Sequence, residues 1–127
     1  MQACQVMLST KADGAGNEIL REGKIEIFPR ATNLVYHEDN AVVKISLHGE
    51  QAEVVREGDY TLSLVLKSGE TTKGKIGING NEGEILTKTY AVEYKIAENY
   101  VVAHLKYDLL ISGEKQEMEL RLLAKIK

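Results

Sequence analysis

The segment YVVAHLKYDLLIS, residues 100–112, alternates apolar and polar side chains with a period of two. Val101, Ala103, Leu105, Tyr107, Leu109 and Ile111 fall on one side, and His104, Lys106 and Asp108 on the other. Successive side chains of a strand point to opposite faces, so the pattern sets one face against a core and the other toward water. A helix would scatter the same residues around its axis. The last segment repeats the design, with Met118, Leu120, Leu122, Ala124 and Ile126 opposed by Glu117, Glu119, Arg121 and Lys125. EILTKTYAVEYKIA, residues 84–97, follows it through Leu86, Tyr90, Val92, Tyr94 and Ile96, with Lys88 as the discordant member of that face.

Shorter runs precede these. Val43, Ile45 and Leu47 make one face, Leu62, Leu64 and Leu66 another, and Ile25 and Ile27 lead into Pro29, which ends its strand. Between the runs stand turn pairs such as Asp13-Gly14, Asp39-Asn40, Gly58-Asp59, Asn79-Gly80 and Ser112-Gly113. Many recur at intervals of about ten residues, the rhythm of consecutive antiparallel hairpins. No segment carries an apolar 3.6-residue period, and no linker divides the chain, so residues 1–127 read as one all-β domain. About ten strands joined by short turns must hide two sheet edges. An up-and-down barrel removes them by closure, and a two-sheet sandwich is the alternative. The long C-terminal strands favour the barrel, because tilted strands run past their neighbours as a sheet closes.

The hairpin VKISLHGEQAEVVREGDYTLSLVLKSGE, then GKIGINGNEGEILTKTYAVEY, then HLKYDLLISGEKQEMELRL resemble the YwiB-like family of small bacterial proteins. The likeness rests on Arg56 with Gly58, on Gly80 or Gly83 with Thr89, and on Tyr107. It implies a calycin-type, lipocalin-like antiparallel barrel of about 8–10 strands. It implies no activity, since a fold does not confer one.

Charge narrows the field of partners. Sixteen Lys and Arg against nineteen Asp and Glu give a net charge of −3 with no basic block, a poor match to a phosphate backbone. No apolar run approaches the ~20 residues of a bilayer-spanning helix. The N-terminal MQACQVMLSTKADG lacks the basic and apolar regions of a secretory signal. A single cysteine, Cys4, rules out an intrachain disulfide and suits a cytoplasmic protein. It reads as a small apolar residue near a strand start.

GETTKGKI, residues 69–76, lies one hydroxyl from the P-loop pattern. Ile76 stands where a magnesium-binding Ser or Thr is required, and the residues that follow read as strand, turn and strand rather than a helix N-terminus. Its glycines therefore read as backbone devices: a hairpin loop at Asn79-Gly80, a bulge or longer loop at Gly83, and weak, bendable strand at Gly74 and Gly77. The three histidines, His37, His48 and His104, lie far apart with no second ligand at useful spacing, so no metal or other cofactor is expected. No nucleophile elbow or inward carboxyl pair is visible, which argues against an enzyme.

Arg56 shares a face with Ala52 and Val54. If that face is internal, the guanidinium needs a partner, either a glutamate of the chain or a ligand anion. Lys88, Tyr90 and Tyr94 share the inward face of their own run on this reading and would join Arg56 as a ligand-binding set. The first expectation is thus a non-enzymatic cytoplasmic barrel that holds a small apolar or amphipathic ligand. The second is a filled barrel acting as a structural or protein-interaction module, with Tyr36, Tyr60 and Tyr100 near its rim.

Overall fold

The computed structural model describes residues Met1–Lys127 as ten antiparallel strands and no helix. They are β1 (Gln2–Ala12), β2 (Ala15–Ile27), β3 (Thr32–Glu38), β4 (Ala41–His48), β5 (Gln51–Gly58), β6 (Tyr60–Lys67), β7 (Thr71–Ile78), β8 (Asn81–Ile96), β9 (Tyr100–Ile111) and β10 (Glu114–Ile126). Each pairs with its neighbours in sequence, and β1 pairs with β10, from Cys4 opposite Ile126 to Ala12 opposite Met118. The result is a closed up-and-down barrel. The ring of strands is closed, which settles barrel against sandwich, although β2 pairs with β3 only through Gly23–Ile27. No helix is long and apolar enough to cross a membrane.

The turns sit where the sequence puts residues tolerant of a left-handed backbone. Asp13-Gly14, Asn79-Gly80 and Ser112-Gly113 have positive φ at both positions and close two-residue hairpins, whose twist matches that of the flanking strands. The stretch resembling a P-loop is therefore strand β7 and its hairpin into β8, with no helix to aim amides at a phosphate. Gly58 answers to a different constraint. A Cβ there would lie 2.1 Å from the Asn40 carbonyl oxygen, so only glycine lets the end of β5 pass the β3–β4 turn.

The inward positions line the barrel with apolar side chains. Cys4, Val6 and Leu8 of β1, Val43, Ile45 and Leu47 of β4, Leu64 and Leu66 of β6, and Val101, Ala103, Leu105, Tyr107 and Leu109 of β9 belong to one cluster of 22 buried residues. The alternation read in β4, β9 and β10 carries over, with Asp108 the one buried residue on the outward face of β9. Cys4 is fully buried, and burial pushes its thiol pKa up, as befits a packing residue rather than a nucleophile.

Strand β8 departs from the expected phase. Its inward residues are Ile85, Thr87 and Thr89, then Val92; Lys88 and Tyr90 point outward. The cause is a register shift between Thr89 and Ala91, where Thr89 pairs with Tyr107 and Ala91 with Lys106, leaving Tyr90 as the extra residue. An odd insertion inverts the side-chain phase on the far side of it. The expected bulge thus lies at Tyr90 rather than at Gly83, which pairs regularly with Ile76.

Candidate functional site

Arg56 lies on the inward face of β5, opposite Val43 on one side and Leu62 on the other. It stands at the end of the barrel formed by the β3–β4 and β5–β6 turns, and its side chain is 12% exposed. Nε donates to Glu38 Oε2 at 3.4 Å, Nη1 to the Tyr60 carbonyl at 2.8 Å and Nη2 to Asp59 Oδ1 at 2.7 Å. The guanidinium carbon sits 3.8 Å from the Tyr60 ring centroid. Burial opposes the charge, but the bond to Asp59 and the nearby acids outweigh it and hold the arginine pKa above its ordinary value. The same bond holds the Asp59 carboxyl below its usual range. The partner that Arg56 requires is thus supplied by the chain, from Glu38 and Asp59. With three of its donors and one ring face engaged, the group ties the end of β3 to the β5–β6 turn.

The other three residues expected beside it are elsewhere. Lys88 and Tyr90, expected inside, are on the outer wall because of the β8 bulge. Tyr90 is 48% exposed, and its hydroxyl donates to Asp108 Oδ2 at 2.6 Å, which pushes the phenol pKa up. Asp108 faces outward in the β9 alternation yet is buried, with Tyr90 laid over it. The Lys88 ammonium lies 5.6 Å from the Tyr90 ring centroid. Tyr94, past the bulge, is half-buried and packs against the core. The four residues do not converge. Tyr36, expected near the rim, is buried inside, and Tyr60 lies against Arg56.

The interior contains polar groups of its own. Burial raises the Tyr107 pKa to about 12, and burial together with Glu38 and Tyr107 raises that of Tyr36 further. The hydroxyls of Thr32, Thr87 and Thr89 are buried without a hydrogen-bond partner. Thr32 on β3 and the pair on β8 stand on opposite walls, with four strands between them either way round the ring.

The outer wall carries one arrangement that the expected site residues do not include. Leu20 on β2 pairs with Met7 on β1, Met7 with Leu123 on β10, and Leu123 with Val102 on β9. These four side chains form one row across four adjacent strands, and they are 51%, 53%, 37% and 42% exposed. Solvent-facing positions on a half-buried strand normally carry polar residues. Here an unbroken apolar row sits between two polar ones. On one side run Glu18, Ser9, Arg121 and His104; on the other run Glu22, Gln5, Lys125 and Tyr100. A groove of about 220 Å³ opens along it, lined by Met7, Val102 and Leu123 with Glu18, His104 and Arg121. His104 Nε2 lies 2.7 Å from Glu119 Oε2 and Nδ1 lies 3.6 Å from Glu93 Oε1, which fixes the imidazole at the groove wall.

A sequence signal for this row existed. In the alternating segments, Met7, Leu20, Val102 and Leu123 are apolar residues in the outward phase. They blur the pattern locally, and in β1 they hide it, since Met7 merges Val6 and Leu8 into one apolar run.

A family model described as a domain of unknown function, DUF1934, matches residues 7–122. The crystal structure of the ywiB protein from Bacillus subtilis superposes with a TM-score of 0.88 at 15% sequence identity. The match covers 99% of this chain and 92% of that one, so the two share a fold. No curated protein matches the sequence.

Proposed function

The chain belongs to the DUF1934 family, and we propose that it is a non-enzymatic interaction module of the cytoplasm, a filled barrel that works through its outer wall. The carrying observation is the row Leu20–Met7–Leu123–Val102, exposed in a molecule whose inward positions form one packed cluster. A contiguous apolar strip rimmed by polar residues is a common mark of a docking surface. Arg56 supports this reading from the other side, because Glu38 and Asp59 already neutralise its charge. The ten strands then serve as a rigid frame that holds four side chains in a line.

One observation favours a second reading, the small amphipathic ligand inside the barrel. Thr32, Thr87 and Thr89 present three buried hydroxyls without partners, and a ligand carboxylate or hydroxyl would satisfy them. A thermal-shift panel of fatty acids and other amphiphiles separates the two. A filled barrel shows no shift, whereas internal binding raises the melting temperature by mass action. A rise that the double variant Thr87→Val with Thr89→Val abolishes would replace the first reading with the second.

A further inference from the structure

We propose that the apolar row is the centre of an isologous dimer, in which a second copy of this chain packs against it with the two-fold axis parallel to the strands. The proposal rests on the outer wall being the working surface, and it names the occupant. A stable pair takes about 800 Å² from each copy, more than four side chains supply. The rows beside the apolar one must therefore enter the interface, and their charges decide which orientations are allowed.

The strand register fixes what meets what. An axis along the strands, between β1 and β10, exchanges β1 with β10 and β2 with β9 while keeping each row at its own height. Met7 then faces Leu123 of the second copy, and Leu20 faces Val102. In the next row Ser9 meets Arg121 and Glu18 meets the His104 imidazole. One row further, Lys11 meets Glu119. On the opposite side Gln5 meets Lys125 and Glu22 meets Tyr100. No pair sets like charges together. The other two-fold that superposes the apolar row runs across the strands, and it sets Arg121 against Lys125 and Glu18 against Glu22. Like charges facing each other at a desolvated interface are strongly disfavoured, so the surface selects the first axis. The acids of β2 thus face positions of β9, and the bases of β10 face the uncharged Ser9 and Gln5 of β1. The strands of the two walls run aligned, the usual arrangement when sheets pack face to face.

Sedimentation velocity on the full chain and its variants tests this. The native chain should sediment as a dimer at high concentration. Met7→Glu and Leu123→Lys, each an exposed position, should each weaken the dimer by tenfold or more while melting as the native chain does. Mixed in equal amounts they should re-form a dimer, because the glutamate of one faces the lysine of the other. The second pair, Leu20→Glu with Val102→Lys, should behave alike and serves where a member of the first pair fails to fold. A monomeric native chain, single variants that remain dimeric, or a mixture that stays monomeric would each overturn the proposal. Repeating the amphiphile panel separates the two levels. A monomer that amphiphiles leave unshifted sinks the dimer alone; one that they stabilise through Thr87 and Thr89 sinks the outer-wall reading with it.

Discussion

Met7 on β1 and Leu123 on β10 are cross-strand partners on the outside of the barrel, and both are exposed. Their neighbours one residue along, Val6 and Leu122, point inward and are buried. A single turn of the pleat thus divides a packing role from a surface one. Replacing Leu123 by Gln should leave unfolding stability within about 0.5 kcal/mol of the native chain, as for other surface changes. Urea denaturation under monomeric conditions measures it.

The opposite outcome is expected inside. Leu105 is fully buried on β9 within the core cluster, between Val92 on β8 and Leu120 on β10. Leu105→Ala removes buried methyls and leaves a void that a closed barrel cannot collapse around. The expected cost is about 2–5 kcal/mol, read from the shift in denaturation midpoint.

Acid should loosen the molecule at two places. The Asp59 carboxyl is held low by the hydrogen bond from Arg56, and that of Glu119 by the hydrogen bond from His104. A folded pKa below the unfolded one means that the unfolded chain binds protons more readily. Each contribution is therefore complete above the unfolded value of about 4 and is lost as pH falls through the lowered folded value. The Asp59 carboxyl is exposed and that of Glu119 partly so, and solvent screening keeps the effect modest. Unfolding midpoints measured from neutral to acid pH should fall in that window, and Arg56→Ala should flatten the Asp59 share. An unchanged acid profile in the variant would detach Arg56 from the turns that it clamps.

Alkali acts with the reverse sign. Tyr107 ionises at about 12 in the folded chain, and Tyr36 is also raised. An unfolded tyrosine ionises at about 10, so burial of the neutral phenols stabilises fully below that value and is lost as pH rises through the folded one. Tyrosinate absorbance should show a late step that coincides with loss of strand signal, and Tyr107→Phe should shrink it. Ionisation of both residues near pH 10 with the barrel intact would contradict their burial.

Most of the barrel was legible because its physics is local. Alternation in β4, β9 and β10 marks the inward face by residue type alone, and Asn79-Gly80 and Ser112-Gly113 announce their hairpins through backbone tolerance. The face of β8 was misread at Lys88 and Tyr90 for a physical reason. The bulge that inverts its phase contains Tyr90, an aromatic that looks inward by composition, and the inward Thr87 and Thr89 look polar. The face of Arg56 was left open by the sequence, and its partner Glu38 lies 18 residues away, brought near only by the β3–β4–β5 register. The outer row was missed because alternation treats an outward apolar residue as noise, and only the β2–β1–β10–β9 register lines four of them up.

The central claim is that the barrel is full and that binding takes place on its outer wall. Native mass spectrometry of gently purified protein tests it most directly. The account predicts the bare mass of the chain or its dimer, with no co-purifying small molecule. A stoichiometric adduct of lipid-like mass, retained by Leu123→Lys and lost from the double variant Thr87→Val with Thr89→Val, would contradict it.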